Sequence, residues 1–537
     1  RNIETAEHLL IWWKNRSELE SVLEEEMAWR YIKMNCDTQN EQLQKAFNLF
    51  VTEIQPHISA YSNKLDIILI NNKNSEKLKS RGFFVPLRSI KKQIEMFIEE
   101  NIPIQSELQK DQQEFGMISS KMTIVHEDKE LTLQQAANIL RDENRKLRKE
   151  VYLKINDRRL QDADALNELL DKLIIKRSKL ASNAGYSNYR DYMFDSMGRF
   201  DYSVSDCEDF HISIQKYIVP IHKEVQEYRK QNLNYSELYP WDTEVEIGGK
   251  KVLKPFENTD ELVDKTIECF NKVKPGYGEM IREMKTRKFL DLDSRKGKAP
   301  GGFNYPLYES NIPFIYMNAT GNHRDMVTMM HEGGHAVHAF MCSNYDIVDF
   351  KSTPSEVAEL ASMSMELLSM DYWDLFYKHP EDLKNAKRKQ LEGVISVLPW
   401  VAIIDKYQHW LYLNPDHSHK ERLEYWDKVF GEFSTGTIAW DGLEKYRKNM
   451  WQKQLHIFEV PFYYIEYAMA QLGAVAIWRN YKQNKEQAID QYEAALKLGY
   501  TTTIPEIYKT AGIAFDFSSG YVKELMEFVY SELKSLM

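Results

Sequence analysis

His331-Glu332-Gly333-Gly334-His335 is the stretch with the clearest capacity for chemistry. Two histidines four apart on a helix are separated by about 40° around the axis and about 6 Å along it, so both imidazoles can reach one ion. Zinc suits such a clamp, because it accepts imidazole nitrogen and carboxylate oxygen and leaves a position open for water at hydrolytic sites. Glu332, beside the first histidine, is placed to take a proton from that water. The motif sits in the apolar stretch from Met326 to Met341, which reads as a buried helix. Gly333 and Gly334 break the local rule, since each glycine inside a helix costs about 1 kcal/mol relative to alanine. Such breaks concentrate at functional sites.

A hydrolytic site needs a third protein ligand. Ser355-Glu356-Val357-Ala358-Glu359-Leu360-Ala361-Ser362 offers two, Glu359 and Glu356, far enough downstream for a second helix to return beside the first. Glu366 falls two helical turns beyond Glu359 on the same face and could hold a histidine by a hydrogen bond. A metzincin pattern is excluded, because His338 and Met341 stand where it requires glycine and histidine. His338 reads as a packed neighbour.

Near the other end, Tyr464 and Tyr467 are three apart and face one side of a helix. Phenolic hydroxyls donate well to a developing oxyanion. Taken alone, an aromatic cluster is more often core.

The segments Lys298-Ala299-Pro300-Gly301-Gly302-Phe303 and Ile312-Pro313-Phe314-Ile315-Tyr316-Met317-Asn318, the His331 motif, and Ser355 to Glu366 together resemble the oligoendopeptidase F branch of the thimet oligopeptidase family. These are zinc metallopeptidases that cut short peptides. The resemblance covers most of the chain after about residue 120 and extends to Gly185-Tyr186-Ser187-Asn188-Tyr189-Arg190-Asp191-Tyr192. It implies one Zn²⁺ held by His331, His335 and Glu359, with Glu332 as general base. It also implies that His456, Tyr464 and Tyr467 stabilise the tetrahedral intermediate. Spacing there departs by about one residue from the thimet-type pattern, which keeps Tyr463 as an alternative to Tyr464. Gly301, Gly302 and Tyr463 form the expected substrate-binding set. The implied fold is mainly α: a two-lobed helical ellipsoid with a deep substrate groove, and a small β-sheet beside the metal helix.

The elements that must position these residues follow from pattern. At 537 residues the chain is too long for one compact core. We expect an N-terminal helical lobe over 1–195 and a catalytic region over 196–537, the two interleaved. Up to about residue 200 apolar residues recur every three or four positions and glycine is rare, which predicts long paired helices. Trp12 and Trp13 are expected as buried anchors. The charged run from Arg141 to Glu150 is expected as a solvated helix face. Gly248-Gly249, flanked by Val245, Ile247 and Val252, suggests a short hairpin. Lys288 to Leu292 and Ile312 to Asn318 read as strands around a glycine-containing loop, giving a sheet edge that can bind an extended peptide through its backbone.

Composition narrows the function further. A net charge of −11 without a basic block argues against nucleic acid. No stretch approaches the ~18 consecutive apolar residues of a membrane span. Arg1-Asn2-Ile3-Glu4 lacks a signal-peptide pattern. Cys36, Cys207, Cys269 and Cys342 are scattered and read as reduced core thiols of a cytoplasmic protein, monomeric or homodimeric. Two rival functions remain at this level: an end-trimming carboxypeptidase or peptidyl-dipeptidase, and a non-catalytic peptide-binding protein.

Overall fold

The glycine-poor sequence before residue 200 folds into long helices, among them Ala6–Cys36, Asn101–Ser120, Arg145–Gln161 and Ala163–Asn183. The computed structural model describes residues 3–247, 252–295, 297–299 and 301–537. It is 72% helical with two small sheets, and no described helix is long and apolar enough to cross a membrane. Trp13 is fully buried against Phe83, and Trp12 is half-buried at the same cluster.

Two details of this half depart from expectation. Thr123–His126 and Lys129–Thr132 pair as an antiparallel hairpin within the helical region. Its turn is Glu127-Asp128, both at positive φ, and that pair carries no glycine to announce it. The run from Arg141 to Glu150 is not simply a solvated face. The helix begins only at Arg145, and Arg148 is fully buried, donating to the Trp241 carbonyl at 3.0 Å and to Asp242 Oδ1 at 2.8 Å. A charged side chain goes inside when a carboxylate meets it there.

Both predicted strands form, shifted by about two residues. Leu290–Asp293 runs parallel to Phe314–Ala319, which pairs on its other side, antiparallel, with Phe303–Tyr305. That third strand lies in the stretch read as a loop, because three residues are too few to display an alternation. Lys298 ties the sheet together. Its buried ammonium donates to Asp291 Oδ1 at 2.8 Å, to the Asp291 and Asp293 carbonyls at 2.9 Å, and to the Met317 carbonyl. Pro240–Asp242 form a single 3₁₀ turn, and Val245 and Ile247 are buried outside any strand. The Gly248-Gly249 turn lies outside the described residues.

One continuous apolar core runs from Met96 to Leu533 and takes side chains from both sides of residue 195. The N-terminal helix Ala6–Cys36 leans on the sheet through a separate cluster in which Ala28 and Ile32 meet Phe314 and Tyr316. Its Glu25 carboxylate also accepts from the backbone N–H groups of Glu309 and Ser310, at 2.9 and 2.7 Å.

Candidate metal centre

The histidine motif lies within the helix His323–Cys342, started by Asn322 and Asp325 in a reciprocal cap. Beside it runs the helix Ser355–Ser369. The two glycines let these helices touch their neighbours. A Cβ on Gly334 would stand 2.7 Å from Ser362 Cα and 3.0 Å from the Ala361 carbonyl, and one on Gly333 would stand 2.7 Å from the Phe270 ring. The helical cost of these glycines is offset by an approach that no larger residue permits.

That approach carries Glu359 to the histidines. Its Oε2 lies 3.3 Å from His331 Nε2 and 3.7 Å from His335 Nε2, and one ligand atom from each of the three residues falls within 4.8 Å of the others. Glu356 takes no part. It is buried beside Arg199 instead. Glu366 Oε1 stands 2.7 Å from His331 Nδ1, while its Oε2 accepts from Gln390 Nε2 at 2.7 Å. Glu366 therefore fixes the ring and leaves Nε2 facing Glu359. Ser362 Oγ donates to Glu359 Oε2 at 3.1 Å.

Burial and the neighbouring carboxylates shift each titratable group of the cluster. Burial opposes charge on His331, yet hydrogen bonds to Glu359 and Glu366 hold its pKa well above the ordinary value. Burial lowers His335 to about 4. Burial, helped by the charges of Glu359 and Glu366, pushes Glu332 up to about 7. Two imidazoles and a carboxylate converging on one point, with a polarising partner behind the first ring, are a donor set that fits zinc.

A cavity of about 350 Å³ opens on this cluster. Gly302, Asn304, His331, Glu332, Tyr463 and Tyr467 are on its wall. Tyr463 donates to Glu359 Oε1 at 3.2 Å. Of the two alternatives at the start of the helix Tyr464–Gln483, Tyr463 therefore reaches the cluster, whereas the Tyr464 ring packs 4.6 Å from the His456 ring, and neither Tyr464 nor His456 is among the lining residues. Gly301 is exposed at φ +108° and is not on the cavity wall, which Gly302 joins.

Residues invisible to motif reasoning complete the arrangement. Gln390 arrives on the helix Pro380–Leu413 with no spacing to announce it. Asn304 donates to the Glu332 carbonyl at 3.2 Å. Gln454 places its amide nitrogen 2.7 Å from His456 Nδ1, and its oxygen accepts from Trp400 Nε1 at 3.1 Å. An amide N–H only donates, so His456 Nδ1 accepts and its proton sits on Nε2. Burial lowers His456 to about 4, which keeps the ring neutral in that tautomer.

Comparison with known proteins converges on one family. The pattern of peptidase family M3 matches residues 138–527, and that of the peptidase M3 N-terminal domain matches residues 1–97. An oligoendopeptidase F homolog of Borreliella burgdorferi is 24% identical over 371 residues, covering 67% of this chain and 60% of its own length. Oligopeptidase PepF of Bacillus subtilis is 22% identical over 404 residues, covering 72% and 57% respectively. The chain thus spans less than two thirds of the length of these curated relatives. The solved structure of PZ peptidase A with an inhibitor has the same fold, with a TM-score of 0.94 at 24% identity, covering 99% of this chain and 94% of that one.

Proposed function

The chain belongs to peptidase family M3, and from that premise we propose that it is a zinc-dependent oligoendopeptidase hydrolysing internal bonds of short, unstructured peptides. The observation that carries this reading is the convergence of His331, His335 and Glu359 beside the buried Glu332 on one cavity. His331, His335 and Glu359 hold the ion, which when bound supplies Lewis acidity and lowers the pKa of water toward ~7.

The chain's own groups do the rest. Glu332 takes the proton of the attacking water on its carboxylate and returns it to the leaving amine. A pKa raised by burial suits a group that must both accept and release a proton near neutrality. Tyr467, Tyr463 and the Nε2–H of His456 donate to the oxyanion that develops on the scissile carbonyl. Tyr464 packs on the His456 ring and steadies it.

Phe303–Tyr305 pairs on one side only among the described strands. A peptide laid along its other side gains backbone hydrogen bonds irrespective of sequence, with Gly301 and Gly302 leaving room for it. Recognition is then tolerant of side chains and limited by length. All four cysteines are free, which suits action in the reducing cytoplasm.

A graded series of doubly blocked fluorogenic peptides, with and without chelator, tests the reading. We expect internal cleavage of short peptides, lost with chelator and restored by zinc. Removal of residues only from unblocked ends, or equal cleavage of a large unfolded protein and a short peptide, would overturn it.

A further inference from the structure

A second constellation of metal-binding side chains lies away from the cavity and has no role in the reaction above. The helix Val204–Ser213 presents Cys207 and His211 one turn apart, and Pro380–Leu413 presents Asp405 and His409 at the same spacing. His211 Nε2 stands 2.8 Å from Asp405 Oδ2 and His409 Nε2 stands 3.2 Å from it. Ligand atoms of Cys207, Asp405 and His409 fall within 4.8 Å of one another, the span that also contains His331, His335 and Glu359. We infer that Cys207, His211, Asp405 and His409 form a second, structural divalent-metal site, with zinc the best-matched ion.

Three observations carry this. All four residues are more than nine-tenths buried. Asp405 Oδ1 and His409 Nδ1 have no hydrogen-bond partner among the described residues, and His409 Nε2 faces only the Asp405 carboxylate, which native interiors rarely leave so. The charges also close: a divalent ion with one thiolate, one carboxylate and two neutral imidazoles is neutral, as a site this deep requires. On binding, the Cys207 thiol loses its proton to solvent and the sulfur becomes a ligand. Cys207, Asp405 and His409 already converge, and His211, 2.8 Å from the shared carboxylate, would complete four protein donors with no open position, as a bracing site has. What it braces is the corner before the tyrosines. The Phe462 ring lies 5.5 Å from the His409 ring, its N–H donates to Gln408 Oε1 at 2.8 Å, and its φ is +69°.

Cobalt separates this site from the catalytic one, because only a thiolate ligand gives a sulfur-to-cobalt charge-transfer band in the near ultraviolet. We expect the full chain, grown with cobalt and freed of loose metal, to hold two ions and show the band. His331→Ala should hold one ion and keep the band. Cys207→Ser should lose the band and one ion, while Cys342→Ser, which alters the thiol lining the catalytic cavity, should keep both. If Cys207→Ser does not fold, X-ray absorption of zinc-loaded His331→Ala decides between the outcomes, with a sulfur expected in the coordination shell. Two ions with the band absent, one ion with the band absent, or a shell of nitrogen and oxygen alone would overturn the site. One ion with the band present would uphold it and instead count against the catalytic zinc.

Discussion

Gly334 lies against Ser362 with no room for a methyl group between the two helices: an added Cβ would stand 2.7 Å from Ser362 Cα. Backbone cannot swing aside as a side-chain tip does. Gly334→Ala should therefore push Ser355–Ser369 away from His323–Cys342, costing about 1–3 kcal/mol, and lower metal affinity because Glu359 moves with its helix. Gly393→Ala is the control, since nothing lies within 4 Å of its Cβ position, and it should be neutral or stabilise by about 0.4–1 kcal/mol. Thermal unfolding and metal content at fixed free zinc check both; equal behaviour of the two variants would refute the close-contact role.

Glu366 touches the donor set only through His331. Its removal leaves all three ligands in place but frees the ring to turn and lose polarisation. Glu366→Ala should weaken metal binding by about 10–100-fold. Gln390→Ala should weaken it less, because it orients Glu366 from one step further out. Competition with a chromophoric chelator measures both affinities, and an unchanged value for Glu366→Ala would exclude the positioning role.

Glu332→Gln keeps size and burial but removes the proton acceptor. Metal content should stay at the wild-type level while kcat falls by about 100–10,000-fold. Metal analysis paired with peptide turnover checks this, and a variant turning over at near-normal rate would move the base elsewhere.

The tyrosines separate by reach. Tyr463 bonds to Glu359 whereas Tyr464 lies against His456. Tyr463→Phe should lower kcat by about 100-fold or more with little change in KM, and Tyr464→Phe should cost markedly less. The reverse order would return the oxyanion role to Tyr464.

These positions show what pattern can and cannot reveal. His331 and His335 are legible because both ligands ride one helix, where periodicity fixes geometry. Glu359 against Glu356 is not, since residues three apart share one side of a helix, and only packing decides which carboxylate reaches the histidines. Gln390 and Gln454 come from elements whose approach is set by the whole core. Arg148 shows the opposite failure: a charged run looked solvated, yet Asp242 pairs with it at zero exposure for both side chains. Gly333 and Gly334 were visible as anomalies, but Phe270 and Ser362 supply their reason.

The last prediction concerns pH. Arg199 donates to Glu466 Oε1 at 2.8 Å, and Glu356 is buried beside the same guanidinium. Two carboxylates facing one cation leave an excess negative charge in the interior. Burial first, and Glu356 second, push Glu466 up to about 8 against the pull of Arg199, and Glu356 is raised as well. A carboxyl whose folded pKa exceeds its unfolded value lends stability that is fully present below the unfolded pKa and lost as pH rises through the folded one. Stability should therefore decline as pH rises from about 4.5, the ordinary carboxyl value, to about 8 and level off above it, with Tm falling by on the order of 2 °C. In Glu356→Gln the remaining pair is balanced, so the decline should flatten. Denaturation of both proteins across that range checks the sign, and parallel curves would show that the two carboxylates do not share a proton.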